Sequence, residues 1–199
     1  MHEDETSLSD PRRWYDSNYL PHFDGGEIAQ FVTYRLAGSL PVRIRDLYKQ
    51  QLEHGKISEI EYHNAMDKHL DEGHGPDYLR RPEIANIVEE NWLRFDGEKY
   101  RLHAWVIMPN HGHVLFTPLN GFTLGKIVHS MKSFTANRAN AILERTGPFW
   151  AREYYDRYIR NEEHFFNTIN YIVKNPVKAG LCRRPEDWPF GSARMNAKL

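Results

Sequence analysis

Cysteine is almost absent: Cys182 stands alone in 199 residues. A single thiol excludes an internal disulfide and any zinc cluster built from several cysteines. Long apolar runs are missing too, and none approaches the roughly 20 residues that a membrane-spanning helix requires. The opening MHEDETSLSD is acidic and polar. It lacks the basic and then apolar order of a secretory leader, so residence in the cytoplasm is expected. Internal repeats and low-complexity tracts are also lacking. What remains is ordinary for a globular chain, 40% apolar and 27% charged, long enough to bury a real core as one domain. Net charge is nearly absent at −1, yet it is unevenly spread. Residues 101–199 hold 14 Lys and Arg against 7 Asp and Glu, which leaves 12 against 20 for residues 1–100. An excess of positive charge confined to one half points to a polyanionic partner, although chance clustering of solvated charge gives the same pattern.

Residues 1–26 show no periodicity and read as an N-terminal arm, with residues 27–199 as a single domain. Gln30 to Leu36 (QFVTYRL) alternates as a strand. A helical insertion at about 41–80 follows, first over Pro41 to Glu53. Its second helix opens on a capping box of Ser58 and Glu61 and carries Tyr62, Met66 and Leu70 along one side. Pro82 starts a helix with an apolar stripe of Ile84, Ile87, Val88, Trp92 and Phe95. YRLHAWVIM and HGHVLFTP form two strands around the turn Pro109-Asn110. A long helix over Thr123 to Arg145 turns Leu124, Ile127, Val128, Met131 and Phe134 inward. A fourth strand covers Glu153 to Ile159, and Asn161 caps a last helix that Pro176 stops. The order β-α-β-β-α-β predicts an α+β fold, the ferredoxin-like split βαβ plan, with an added C-terminal helix.

Two features carry chemistry. His111 and His113 are two apart in a strand, so both imidazoles leave the same face. Side by side they make half of a divalent-metal site, but the spacing alone also fits strand histidines that bind nothing. In the last helix, Phe165, Phe166, Ile169, Ile172 and Val173 share one arc, and Tyr171 stands nearly opposite it with His164, Asn167 and Asn175. Tyrosine is a covalent nucleophile but a weak one at its ordinary pKa of about 10, so it needs a cation or base nearby. Alone, Tyr171 also fits a surface tyrosine at a partner contact.

Together, AWVIMPNHGHVLF (104–116), SFTAN (133–137), PFWAREYYDRYIRNEEHF (148–165), YIVKNPVKAGL (171–181) and DWPFGSAR (187–194) resemble the single-tyrosine HUH transposases, most closely the REP-associated tyrosine transposase branch. YLPHFDGG (19–26) and QFVTYRLAGSLP extend the resemblance upstream, leaving residues 41–80 outside it. The resemblance implies a ferredoxin-like fold, with His111 and His113 as the paired metal ligands. Tyr171 falls at the nucleophile and Asn175 at the third polar ligand. Gly112 departs from the bulkier apolar residue usual between the histidines. The implied cofactor is Mg²⁺ or Mn²⁺. The implied reaction cleaves and rejoins single-stranded DNA carrying a palindromic hairpin, through a 5′-phosphotyrosine link, by a monomer or a homodimer. Phosphate contacts are expected from Arg152, Arg157, Arg160, Lys174 and Lys178, and base stacking from Trp14, Tyr15 and Tyr19. His164 is a candidate base for Tyr171. Two other readings stay open on sequence. One is a hairpin-binding module without catalysis. The other is a histidine phosphoesterase or nucleotidyl transferase, in which Tyr171 would be dispensable.

Overall fold

The structure is a computed structural model that describes residues 14–16 and 21–196. In chain order the strands are β1 (Trp14–Asp16), β2 (Pro21–Phe23), β3 (Gln30–Arg35), β4 (Tyr100–Ile107), β5 (His111–Pro118) and β6 (Tyr155–Tyr158). The helices are α1 (Val42–Glu53), α2 (Glu59–Asp71), α3 (Pro82–Arg94), α4 (Leu124–Ile142), α5 (Glu162–Lys178) and α6 (Ser192–Asn196). Strands β3 to β6 form a four-stranded sheet in the order β4-β5-β3-β6, with antiparallel neighbours throughout. This is the split βαβ plan, in which the two central strands are β3 and β5.

Strands β3 and β5 and the second half of β4 alternate between two buried faces. On one face Val32, Tyr34, Val114, Phe116, Trp105 and Ile107 join Ile84, Val88 and Trp92 of α3 with Ile127, Val128 and Met131 of α4 in the main core. Gly112 lies on this side, where a Cβ would meet the Trp92 indole at 2.8 Å. The missing side chain therefore makes room for a tryptophan, which donates its indole N–H to Tyr34 Oη at 2.7 Å. On the other face, Phe31, Val106 and Leu115 pack with Ile172 of α5.

Ser58 and Glu61 form the expected capping box at the start of α2. Tyr62, Met66 and Leu70 point toward Leu40 and toward Ile44, Tyr48 and Leu52 of α1. Three local expectations change. Phe134 is exposed, because the inward stripe of α4 continues through Thr135 and Ala139 instead, where Thr135 Oγ1 accepts the Trp150 indole N–H at 2.8 Å. Phe166 is exposed also. The buried stripe of α5 runs Thr168, Ile172, Asn175 and Pro176, rotated from the apolar arc because polar groups wait on the sheet. Pro176 does not stop α5, which continues to Lys178. The helix ends at Gly180, whose φ of 71° is left-handed. Gly180 N–H bonds Val177 O at 3.0 Å and Leu181 N–H bonds Pro176 O at 2.8 Å, the pattern of a Schellman termination.

Among the described residues, no helix is long and apolar enough to cross a membrane.

Candidate active site

The register of the sheet aligns Val106, His113, Thr33 and Tyr155 across all four strands. His113 therefore sits at the middle of the sheet, on the face covered by α5, with His111 two residues earlier beside it. Both imidazoles are fully buried. Their Nε2 atoms lie 3.0 Å apart.

The hydrogen-bond network fixes which nitrogen of each ring carries a proton. Asn110 uses its Nδ2 to donate to Leu70 O at 2.9 Å. Its Oδ1 is then the end that meets His111 Nδ1, at 2.7 Å. An amide oxygen only accepts, so His111 Nδ1 is protonated and Nε2 keeps a lone pair. His113 follows the same logic. Asn175 Nδ2 faces His113 Nε2 at 3.2 Å, so that nitrogen accepts. His113 Nδ1–H donates to Thr33 Oγ1 at 2.7 Å, and the Thr33 hydroxyl continues to His63 Nε2 at 3.1 Å. Both Nε2 lone pairs of the strand histidines consequently point at a common region.

Helix α2 brings in two groups that the sequence reading passed over. His63 and Asp67, one turn apart, face the sheet while Tyr62, Met66 and Leu70 face α1. Asp67 Oδ2 lies 3.5 Å from His63 Nε2 and 3.9 Å from His113 Nε2. Asp67 accepts the hydroxyl hydrogen bond of Tyr171. The tyrosine ring packs edge-on against Phe31 and His113, with centroids at 5.8 and 5.5 Å. Tyr171 is thus half-buried at the shoulder of the inward stripe of α5, roofed by α2, rather than on an open polar face. His164 Nδ1 is instead turned to the Arg160 N–H at 3.3 Å.

Burial dominates the electrostatics. It holds His63 and His111 down to about 3 and His113 well below the usual imidazole range, with the Lys178 charge adding to the effect. All three are neutral and available as ligands or acceptors. Burial pushes the Asp67 carboxyl up to about 7, against the opposing pull of the Tyr171 hydrogen bond and Lys178. The Tyr171 hydroxyl is raised by burial first and then by the Asp67 charge and hydrogen bond.

The donor set suits a divalent cation. Two neutral imidazoles with lone pairs facing at 3.0 Å repel unless a cation lies near both. Asp67 Oδ1 and Asn175 Oδ1 are buried with no hydrogen-bond partner. His63, Asp67 and His113 offer ligand atoms within 4.8 Å of one another and could hold a metal ion. The structure thus joins His111, His113, Asn175 and Tyr171 in one cluster and adds His63, Asp67, Thr33 and Asn110.

The expected phosphate-binding residues divide. Arg157 lines a groove of about 190 Å³ together with Tyr171, His63 and Tyr155. Lys178 lies 5.7 Å from the Tyr171 ring centroid and 3.8 Å from Asp71. Arg152 lines the mouth of a larger neighbouring cavity. Lys174 and Arg160 are exposed, with Arg160 over the Tyr158 ring at 5.6 Å. Trp14 and Tyr15 fall in β1, but their side chains, and Tyr19 altogether, lie outside the described residues.

Residues 81–175 match the family model described as Transposase IS200 like. Just under half of the chain is thus similar to the IS200-like transposases. It is 29% identical over 96 residues to a REP-associated tyrosine transposase of Escherichia coli (strain K12), covering 47% of this chain and 54% of that protein. A Haemophilus influenzae protein named for the same transposase group is 29% identical over 105 residues, 48% of this chain and 60% of its own. The matches thus span only about half the length of these relatives. A solved structure of the REP-associated tyrosine transposase bound to a REP hairpin superposes with a TM-score of 0.60 at 16% identity, over 92% of this chain and 84% of that one. The fold is therefore shared. The IS200-like segment includes His111, His113, Tyr171 and Asn175, whereas His63 and Asp67 precede it. The sequence signal that could have found them is a His and an Asp at i,i+4 on the flank of an amphipathic helix.

Proposed function

We propose that this chain is a metal-dependent DNA transposase that cleaves and rejoins single-stranded hairpin DNA, with Tyr171 as the nucleophile. One observation carries the reading. The hydroxyl of Tyr171 is hydrogen-bonded to a buried carboxylate, Asp67, beside the histidine pair, so nucleophile, proton acceptor and metal ligands meet at one point.

His111 and His113 would hold Mg²⁺ or Mn²⁺ through Nε2, with Asn175 Oδ1 as the third ligand and Asp67 Oδ1 within the same cluster. When bound, such a cation neutralises charge on the scissile phosphate and polarises it. Mixed nitrogen and oxygen donors leave the choice between the two metals open to geometry and availability. In the forward step the Tyr171 oxygen attacks phosphorus and its proton passes to Asp67. The bond from phosphorus to the 3′ oxygen breaks, and that oxygen leaves as a hydroxyl after taking a proton from water. The product is a 5′-phosphotyrosine link and a free 3′-OH. The water that gave this proton becomes hydroxide, and rejoining reverses these transfers: a 3′-OH attacks the link and gives its proton to hydroxide, the phosphorus–tyrosine bond breaks, and protonated Asp67 returns the proton to Tyr171. One phosphodiester is exchanged for another, so no energy cofactor is required. Asp67 replaces His164 as the proton acceptor in this scheme, because it is the group already bonded to the hydroxyl. Arg157 and Lys178 would position the strand through its phosphates.

The hairpin partner is proposed from the REP hairpin bound by the structural relative and from the basic C-terminal half. The test incubates the full chain and Tyr171→Phe with labelled single-stranded hairpin DNA, with Mn²⁺ or with EDTA. A covalent adduct that requires both Mn²⁺ and Tyr171 is the expected result. A mobility shift without any adduct would overturn the catalytic reading in favour of a binding module, and an adduct that survives Tyr171→Phe would favour a histidine nucleophile.

A further inference from the structure

Beside the catalytic cluster lies a cavity of about 510 Å³ between β3, the α1–α2 pair and residues 148–155. Its inner wall consists of groups already in the site, with Thr33, His63, Asp67 and Tyr155 among its lining residues. Its floor is apolar, built from Leu40, Met66, Leu70 and Trp150. Arg35, Arg45 and Arg152 also line it, with Arg45 paired to Asp46 at 2.8 Å and Arg152 to Glu153 at 3.7 Å. Val42 also lines it and is 61% exposed, an apolar side chain offered to whatever enters.

The cavity does not belong to the groove that holds Tyr171 and Arg157, but the two share a wall. His63 and Tyr155 line both, and they stack on each other with centroids 4.0 Å apart. A strand passing through the groove with a phosphate at Tyr171 would meet this wall, since the His63 and Tyr171 ring centroids are 6.5 Å apart. The depth beyond is apolar with arginines also in its lining, which suits a planar base and its phosphates. A volume of this size falls in the range of small-molecule sites. A base in a single strand has no partner to lose on being turned out.

We propose that this cavity receives one nucleobase of the DNA strand, turned out beside the phosphate that Tyr171 attacks, and that it sets a base preference at that position. The inference rests on the single-strand reading above. It assigns a substrate-binding role to α1 and α2, which supply Leu40's neighbours Val42 and Arg45 and the inner residues Tyr62, Met66 and Leu70. A patch that merely sealed the α1–α2 pair against the body would have no reason to carry three arginines or to share a wall with the groove that holds Tyr171.

The experiment has two arms. Saturation-transfer NMR on the full chain with each of the four 5′-deoxynucleoside monophosphates reads the cavity without any cleavage. Transfer to base protons of at least one nucleotide is expected. It should weaken at least tenfold in Ala37→Phe, which directs a ring into the cavity from a half-buried position, and in Val42→Glu, whose exposed site keeps the fold intact and repels phosphate. In the second arm, hairpin strands with randomised flanks are cleaved and the products sequenced. A preference at one position next to the cut is expected, and it should be lost in both variants while cleavage continues. No transfer from any nucleotide, or transfer and preference unchanged in both variants, would overturn the proposal. Nucleotide binding without cleavage of any strand would leave the cavity assignment standing and overturn the catalytic reading instead.

Discussion

The two faces of the sheet are both buried, yet they are built on opposite principles. The face under α3 and α4 is mainly apolar: Val32, Tyr34, Val114 and Phe116 meet Trp92, Ile127 and Met131, and the Trp92 indole and the Tyr34 hydroxyl satisfy each other, with Asn91 Oδ1 on α3 a buried oxygen without a partner. The face under α2 and α5 buries His63, Asp67, His111, His113 and Asn175 and leaves carboxylate and amide oxygens without partners. Burying such groups costs roughly 1 to 3 kcal/mol for each one left unsatisfied. The first face supplies the stability that the second consumes, a division expected where a site is held ready for a charged ligand.

Substitutions that separate the faces should behave differently. Tyr171→Phe should abolish covalent adduct formation while leaving thermal stability near that of the parent, since the ring contacts with Phe31 and His113 persist; a gel assay and a melting curve check both. Asp67→Asn keeps the size and a hydrogen bond to Tyr171 but cannot take its proton. Single-turnover cleavage should slow by about 10²- to 10⁴-fold. Calorimetric titration with Mn²⁺ then sharpens the assignment, because unchanged affinity marks a proton acceptor and a loss of affinity marks a metal ligand.

Changes on the apolar face should do the reverse. Ile127→Ala should lower stability by about 2 to 5 kcal/mol, with adduct formation intact at temperatures where the variant is folded. Gly112→Ala tests the join between the faces. Its Cβ must displace Trp92, at a cost of about 1 to 3 kcal/mol, although the histidines on either side point away. Phe134→Ser should change stability by no more than about 0.5 kcal/mol, since that side chain sits outside the core. A large loss in denaturant unfolding would contradict the inward stripe through Thr135.

The sequence made the sheet legible because its strands alternate and its turns are marked by Pro109-Asn110 and by glycines. The β-α-β-β-α-β order, the His111–His113 pair and the capping box at Ser58 needed only local rules. The facing of α5 was less legible: its apolar residues pointed to one arc, whereas the burial of Thr168 and Asn175 depends on polar groups from β5 and α2 that only the tertiary fold brings near. The same reason hid Asp67 and His63. They lie some hundred residues from Tyr171 in a segment that resembles nothing in the rest of the family pattern, and a carboxylate beside an apolar stripe reads as a solvated flank until a tyrosine covers it. Lys132 taught the reverse lesson. A lysine on a long helix is expected to be solvated, but Lys132 of α4 donates to Arg152 O at 2.7 Å and is held down to about 8, chiefly by burial.

The most direct test of the account is to locate the DNA on the protein. Adduct formed with Mn²⁺ and hairpin DNA is digested with nuclease and trypsin, and the modified peptide is sequenced by mass spectrometry. The account predicts a nucleotide on Tyr171, the single tyrosine of the tryptic peptide Asn161–Lys174. A nucleotide on His111 or His113, in the separate peptide Leu102–Lys126, would contradict it.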